Sequence, residues 1–225
     1  MPHGGGKGGS LMDCCQCQGI ETKFDRKYVA KKLKRYRKTG PKKTTRQLIE
    51  ALQAKGVGGM TLLDIGGGIG DIQHALLRSG VSFATDNEAS TAYLEACQQE
   101  AERLGHADRI RHIPGNFVDV EEDIVPADIV TLDRVICCYH DMPALVNLSA
   151  QKARRLYGIV YPLDRWWVQL AMEVYYNCRN WARRNPMRNF VHPSKEVEAI
   201  IQSNGLSRCF YKVIGPWQVV VYVRH

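Results

Sequence analysis

The sequence predicts an α/β protein built on a doubly wound, seven-stranded sheet, mostly parallel with an antiparallel last strand, and preceded by an N-terminal helical arm. Three observations predict it. From residue 61 onward, short apolar runs alternate with segments of helical periodicity, the pattern of parallel strands joined by crossover helices. The first apolar run is followed at once by a glycine cluster, the mark of a tight strand-to-helix turn. The last two runs are separated only by the turn Gly215-Pro216, too short for a crossover, so that pair must be antiparallel.

Composition bounds the reading. The chain has 225 residues, 44% of them hydrophobic and 24% charged, which suits one α/β domain with an appended arm and excludes a disordered chain. It holds no run of about eighteen apolar residues, so the sequence offers no transmembrane helix. The start, Met1 to Ser10, lacks the apolar centre of a signal peptide and reads as a flexible tail, so a cytoplasmic protein is the default expectation. The eight cysteines are read as reduced thiols, because a chain with this much core needs no disulfide framework. Cys14, Cys15 and Cys17 raise metal binding, but adjacent cysteines lack the two-to-four-residue spacing of a zinc site, so no metal is expected. The net charge of +8 favours anionic partners and says nothing about fold.

The elements follow in order. Residues 1–44 are read as the tail and a basic arm, and 45–225 as the α/β domain. Within the arm, Tyr28, Leu33 and Tyr36 recur at helical spacing among many lysines and arginines. Gly40-Pro41 stops this helix, and Thr44 or Thr45 caps a second through Leu48, Ile49 and Leu52. The basic face reads as a solvated surface; nucleic-acid contact is the alternative, without the interleaved stacking aromatics that would favour it. Strands are expected at 61–65, 81–85 (ending at Asp86), 110–113, 127–132, 158–161, 209–214 and 218–224. Helices are expected near 72–77, 90–104 and 195–203, and an amphipathic one between Asp164 and Trp181 carries three of the four tryptophans.

The strongest chemical signal is Asp64-Ile-Gly66-Gly-Gly68-Ile-Gly70 after the first strand, with the acid Asp86 ending the second, where a carboxylate can accept both hydroxyls of a ribose. Two ligand classes compete for such a turn. A dinucleotide fingerprint would place its third glycine where Asp71 stands. The spacing instead resembles the first motif of the class I S-adenosylmethionine-dependent methyltransferases, whose Rossmann-like sheet also ends in an antiparallel strand.

That resemblance, over about residues 45–225, implies S-adenosylmethionine as cofactor. It places Asp64, Gly66, Gly68 and Gly70 at the methionine and ribose region, Asp86 at the ribose hydroxyls, and Asn87 at the border of the adenine. Asn116 and Phe117 match the family's adenine-contacting segment, with Asn in place of the usual Asp, and Asp133 and Arg134 fall where the family places cofactor and acceptor contacts. The implied partner is a small-molecule acceptor; an RNA methyltransferase, or a binding module without catalysis, is the alternative. Tyr139, His140 and Asp141 follow the fourth strand at the carboxyl edge where open α/β sheets bind ligands, so His140 is expected as a general base, Asp141 as its orienting partner and Tyr139 as an acceptor contact. The arm and an insertion at about 164–193 are expected to cover the acceptor, and Asn185 to Pro193 distantly resembles the porphyrin O-methyltransferases.

Overall fold

The structure is a computed structural model that describes residues 15–182 and 184–225. Residues 1–14, with the expected tail and Cys14, lie outside the described residues, as do the side chains of Cys15 and Cys17.

Seven strands form one sheet: β1 (Thr61–Ile65), β2 (Phe83–Glu88), β3 (Ile110–Pro114), β4 (Ala127–Asp133), β5 (Ala153–Pro162), β6 (Leu206–Ile214) and β7 (Trp217–Arg224). Their order is β3-β2-β1-β4-β5-β7-β6. The first five run parallel, whereas β7 is antiparallel to β6, as the two-residue turn between them requires, and also to β5.

Both faces are covered, which is why the central strands are apolar on both sides. On one face, α7 (Met142–Lys152) and α10 (Ser194–Ser203) bring Leu145, Val146, Val197 and Ile201 against Val130, Leu132 and Ile159. On the other, α3 (Lys43–Gln53) and α4 (Asp71–Arg78) bring Leu48, Leu52, Ile72 and Leu76 against Leu62, Ile129, Val160 and Val219. Each such fully buried side chain is worth about 1.5–3 kcal/mol relative to exposure. Gly158 in β5 admits α3 closely: a Cβ there would stand 2.8 Å from Cδ1 of Leu48.

The arm docks on this body. α1 (Cys15–Lys23) leads into α2 (Arg26–Thr39), which Asp25 caps by accepting the N–H of Tyr28 and Gly40 ends in the left-handed region. Its apolar stripe, Val29, Leu33 and Tyr36, is buried against Ile69 and against Ala92 and Ala96 of α5 (Thr91–Leu104). Buried Glu100 of α5 pairs with Arg37 at 2.8 Å and with Arg103 at 2.5 Å, so α2 is held by charge as well as packing.

The structure corrects several boundaries. β2 continues two residues past Asp86 to Glu88, and β5 begins at Ala153, well before Gly158. Thr44 and Thr45 do not cap α3. They sit buried in its first turn, where Thr45 donates its hydroxyl to Asp133. Helix α7 and the short α6 (Phe117–Val120) after β3 were not among the expected elements. Between β5 and α10 the chain forms α8 (Trp166–Ala171), a wider helical turn over Met172–Asn177, and α9 (Cys178–Ala182).

Candidate functional site

A cavity of about 600 Å³ opens at the carboxyl edge of β1, β2 and β4, where the glycine turn meets the docked arm. The turn takes its shape from three left-handed glycines, Gly66 (φ 65°), Gly68 (φ 62°) and Gly70 (φ 80°), a region that favours residues without a Cβ. Gly67 between them is equally constrained for another reason. A Cβ on it would collide with the side chains of Gln73, Asp86 and Asp64, which pack directly beneath the loop.

That layer is a buried polar network. Asp64 accepts from the hydroxyl of Thr131 at 2.6 Å and from the amide of Gln73 at 3.2 Å, and burial pushes its carboxyl well above the usual range. Gln73 also donates to Asp86 at 2.8 Å, while His112 Nδ1 lies 2.9 Å from the other Asp86 oxygen. Asp86 therefore points under the glycine loop, fully buried, and does not line the cavity. The expectation that it ends its strand is corrected by the two further residues of β2, and its side chain lies beneath the loop instead of on the cavity.

Glu88 is the acidic residue of β2 that reaches the cavity. It ends β2, borders the cavity, and accepts the backbone N–H of Gly68 at 3.0 Å and of Ser90 at 2.8 Å. Burial pushes its carboxyl up to about 7, against the pull of those two N–H groups. The signal for it was in the sequence: Ser90 caps α5, so a strand running up to that cap ends at Glu88.

Asp64, Gly66, Gly68, Asn87, Asn116, Phe117, Asp133 and Arg134 all line the cavity; Gly70, at the start of α4, does not. Asn87 spends its amide on the carbonyls of Ile113 and Gly115, which fixes the loop after β3. Asn116 donates to Asp119 and to the hydroxyl of Tyr139. Arg134, itself left-handed at φ 64°, forks both its Nε and Nη2 onto Asp133 at 2.8 Å. Burial pushes the Asp133 carboxyl up, but this fork, with the Thr45 hydroxyl, holds it below the usual carboxylate range.

The expected catalytic group divides. Tyr139 lines the cavity, whereas His140 and Asp141 do not. His140 is exposed with its ring stacked on Tyr139, and Asp141 is exposed and caps α7 by accepting the N–H of Ala144. The expected placement of His140 and Asp141 in the site is thus corrected: the chain turns into α7 here and leaves both side chains outside the cavity. The insertion is corrected in part. Met172 and Asn189 reach the cavity, but Trp166 (75% exposed) and Trp181 (83%) face outward.

Several lining residues were not singled out in sequence. Lys42 borders the cavity, its ammonium lowered to about 7 by burial and by the neighbouring Arg134 and Lys32. Asp71 sits opposite, raised to about 6 by burial and by Asp133. Lys23, Lys32, Arg35 and Lys43 join Lys42, so the docked arm gives the cavity a cationic wall. Asn189, which lines the cavity, carries a buried amide nitrogen with no hydrogen-bond partner.

The sheet order, the glycine turn after β1 and a cavity above it are those of the class I S-adenosylmethionine-dependent methyltransferase fold, and the chain has that fold. Solved structures similar to it include the magnesium protoporphyrin IX methyltransferase of Synechocystis PCC 6803 with bound SAH (16% identity over 81% of this chain and 84% of that one, TM-score 0.64). An O-methyltransferase family protein from Burkholderia thailandensis matches at 14% identity over 96% of this chain and 65% of that one, TM-score 0.70. A putative RNA methyltransferase from Pyrococcus horikoshii matches at 11% identity over 80% and 83%, TM-score 0.56. No protein-family model and no curated protein matches the chain.

Proposed function

We propose that this protein is an S-adenosylmethionine-dependent methyltransferase acting on a small, anionic acceptor. The observation that carries the reading is Glu88. A carboxylate has about four lone-pair sites, and the two backbone donors on Glu88 leave others for the hydroxyls of a ribose. The glycine turn fits a nucleoside beside it: a Cβ on Gly68 would meet nothing nearer than the Tyr93 ring at 3.8 Å, so that side of the loop is open. Asp64, Gly66 and Gly68 then border the amino-acid end of the cofactor, and Asn87, Asn116 and Phe117 its base. Gly70 shapes the turn, and Asp86 positions it from beneath through Gln73.

The cofactor, when bound, supplies a methyl group on a sulfonium that is already a good leaving group. The chain's part is alignment and exclusion of water. Tyr139, held by the Asn116 amide, and the unpartnered Asn189 amide fix the acceptor. The cations of the arm draw in its negative charge, and Asp133 with Arg134 forms a rigid floor. Cations gathered around the mouth of one cavity suit a small molecule better than RNA, which would need them spread along an extended surface.

The test is transfer of labelled methyl from S-adenosylmethionine into a small-molecule extract, read by mass spectrometry. Label in a low-mass acidic product supports the reading. Label confined to RNA, or cofactor binding with no transfer to any acceptor, contradicts it.

A further inference from the structure

Cys137 and Cys138 lie on the helical turn Ile136–Cys138 that follows β4, and both border the cavity. Consecutive residues in an extended chain send their side chains to opposite sides. Here the left-handed Arg134 and the turn after it bring both sulfur atoms toward one carbonyl, that of Arg134, at 3.4 and 3.7 Å. The sulfurs are 3.8 Å apart.

We propose that Cys137 and Cys138 form a dithiol site on the cavity wall that takes a soft, thiophilic metal or metalloid centre, of which a trivalent arsenical is the type. At 3.8 Å the two sulfurs are in contact but unbonded, since a disulfide would hold them about 2.05 Å apart. Two thiolates bound to one centre at about 2.3 Å stand about 3.3 Å apart at the near-right angle of a pyramidal trivalent arsenical and about 3.8 Å apart at a tetrahedral one, so the pair needs to close by no more than about 0.5 Å. Soft sulfur donors select soft centres over magnesium or calcium.

The surroundings favour the ligating form, which is the thiolate. The Cys138 thiol is held below its ordinary value by the hydrogen bond from Cys137 and, against the effect of burial, by the charges of Lys23 and Arg134. Cys137 is pushed up in return. Cys97, Cys178 and Cys209 stand on three other elements: α5, α9 and β6. An occupant of the pair would share the cavity with Tyr139 and Asn116. Chelation needs only the two thiols, so the site does not rest on the methyltransferase reading.

Phenylarsine oxide is the probe. Two As–S bonds form, the oxide oxygen leaves as one water with the two thiol protons, and arsenic stays trivalent. The reduced full-length chain is titrated and the adduct mapped by intact and peptide mass spectrometry, in the wild type and in a Cys14→Ser/Cys15→Ser/Cys17→Ser background that removes the other close-set thiols. The expected result in both is an adduct bridging residues 137 and 138. Cys137→Ser and Cys138→Ser, made in that background, should each weaken capture by about 100-fold or more, because a second tethered ligand acts at high effective concentration. Undiminished capture by both single variants, or an adduct that maps elsewhere in the triple-serine background, overturns the site. If a serine variant fails to fold, the map in the triple-serine background alone decides. Arsenical capture without any binding of S-adenosylmethionine would sink the methyltransferase reading and leave this one standing.

Discussion

A buried carboxylate that accepts two backbone N–H groups holds those groups in register, and Glu88 does this for the glycine turn and for the start of α5 at once. Side chains two positions apart on β2 share a face, yet Asp86 meets Gln73 and His112 under the loop while Glu88 has reached its open edge. The second strand looked finished at Asp86 because Asn87 and Glu88 are poor strand formers; they extend it because β1 and β3 supply their backbone partners. His140 was equally misleading. A histidine after β4 has the right chemistry, but nothing in the local sequence fixes which way its side chain points. With the acceptor found by label transfer, His140→Ala should keep turnover within about twofold of wild type, since the exposed ring is not on the cavity. Tyr139→Phe should lose about 0.5–1.5 kcal/mol of kcat/KM, the worth of one hydrogen bond, with the affinity for SAH unchanged. A large loss in His140→Ala alone would restore the histidine as a base.

Among the elements, α3 and α4 bear most directly on the cavity, and each depends on one close contact. Gly158→Val would drive a branched side chain into Leu48 and Leu52, so α3 must shift; a loss of about 1–3 kcal/mol is expected in denaturant unfolding. An unchanged midpoint would mean that α3 packs less tightly than the 2.8 Å approach implies. The other contact joins α4 to the turn after α5, where His74 Nδ1 lies 3.2 Å from His106 Nδ1 in a fully buried setting. Burial, and then His106, lowers the His74 pKa from 6.5 to about 4. The unfolded chain therefore takes up a proton that the folded chain refuses. The stability this histidine provides is complete above about 6.5 and is lost as pH falls toward about 4. Thermal melts across that window should show a steeper acid decline for wild type than for His74→Gln, and parallel curves would contradict the assignment. Helix α7 has a start that is legible in the sequence, with Asp141 as cap and Pro143 in the first turn. Which lysines of the arm turn inward was not legible, because Lys42, which ends up half-buried, looks the same in sequence as the solvated ones.

For the whole molecule, the strand pattern and the glycine turn were sufficient to read the class of fold, because both are local consequences of backbone geometry: alternation of periods and the need for left-handed φ. The cavity's composition was not, because it is assembled from the arm, the ends of five strands and a loop far along the chain. The outward tryptophans show the same limit; apolar periodicity marks a helix at Trp166 but not which of its faces meets the sheet. No helix among the described residues is long and apolar enough to cross a membrane. The central claim is that the cavity binds S-adenosylmethionine with Glu88, not Asp86, on its ribose. Calorimetric titration of SAH into wild type and Glu88→Ala, with folding checked by thermal melting, tests it most directly. One site per chain and a loss of about 1.5–3 kcal/mol in the variant, the worth of hydrogen bonds to a charged group, is the predicted result. No binding to wild type, or equal affinity in a folded Glu88→Ala, would contradict it.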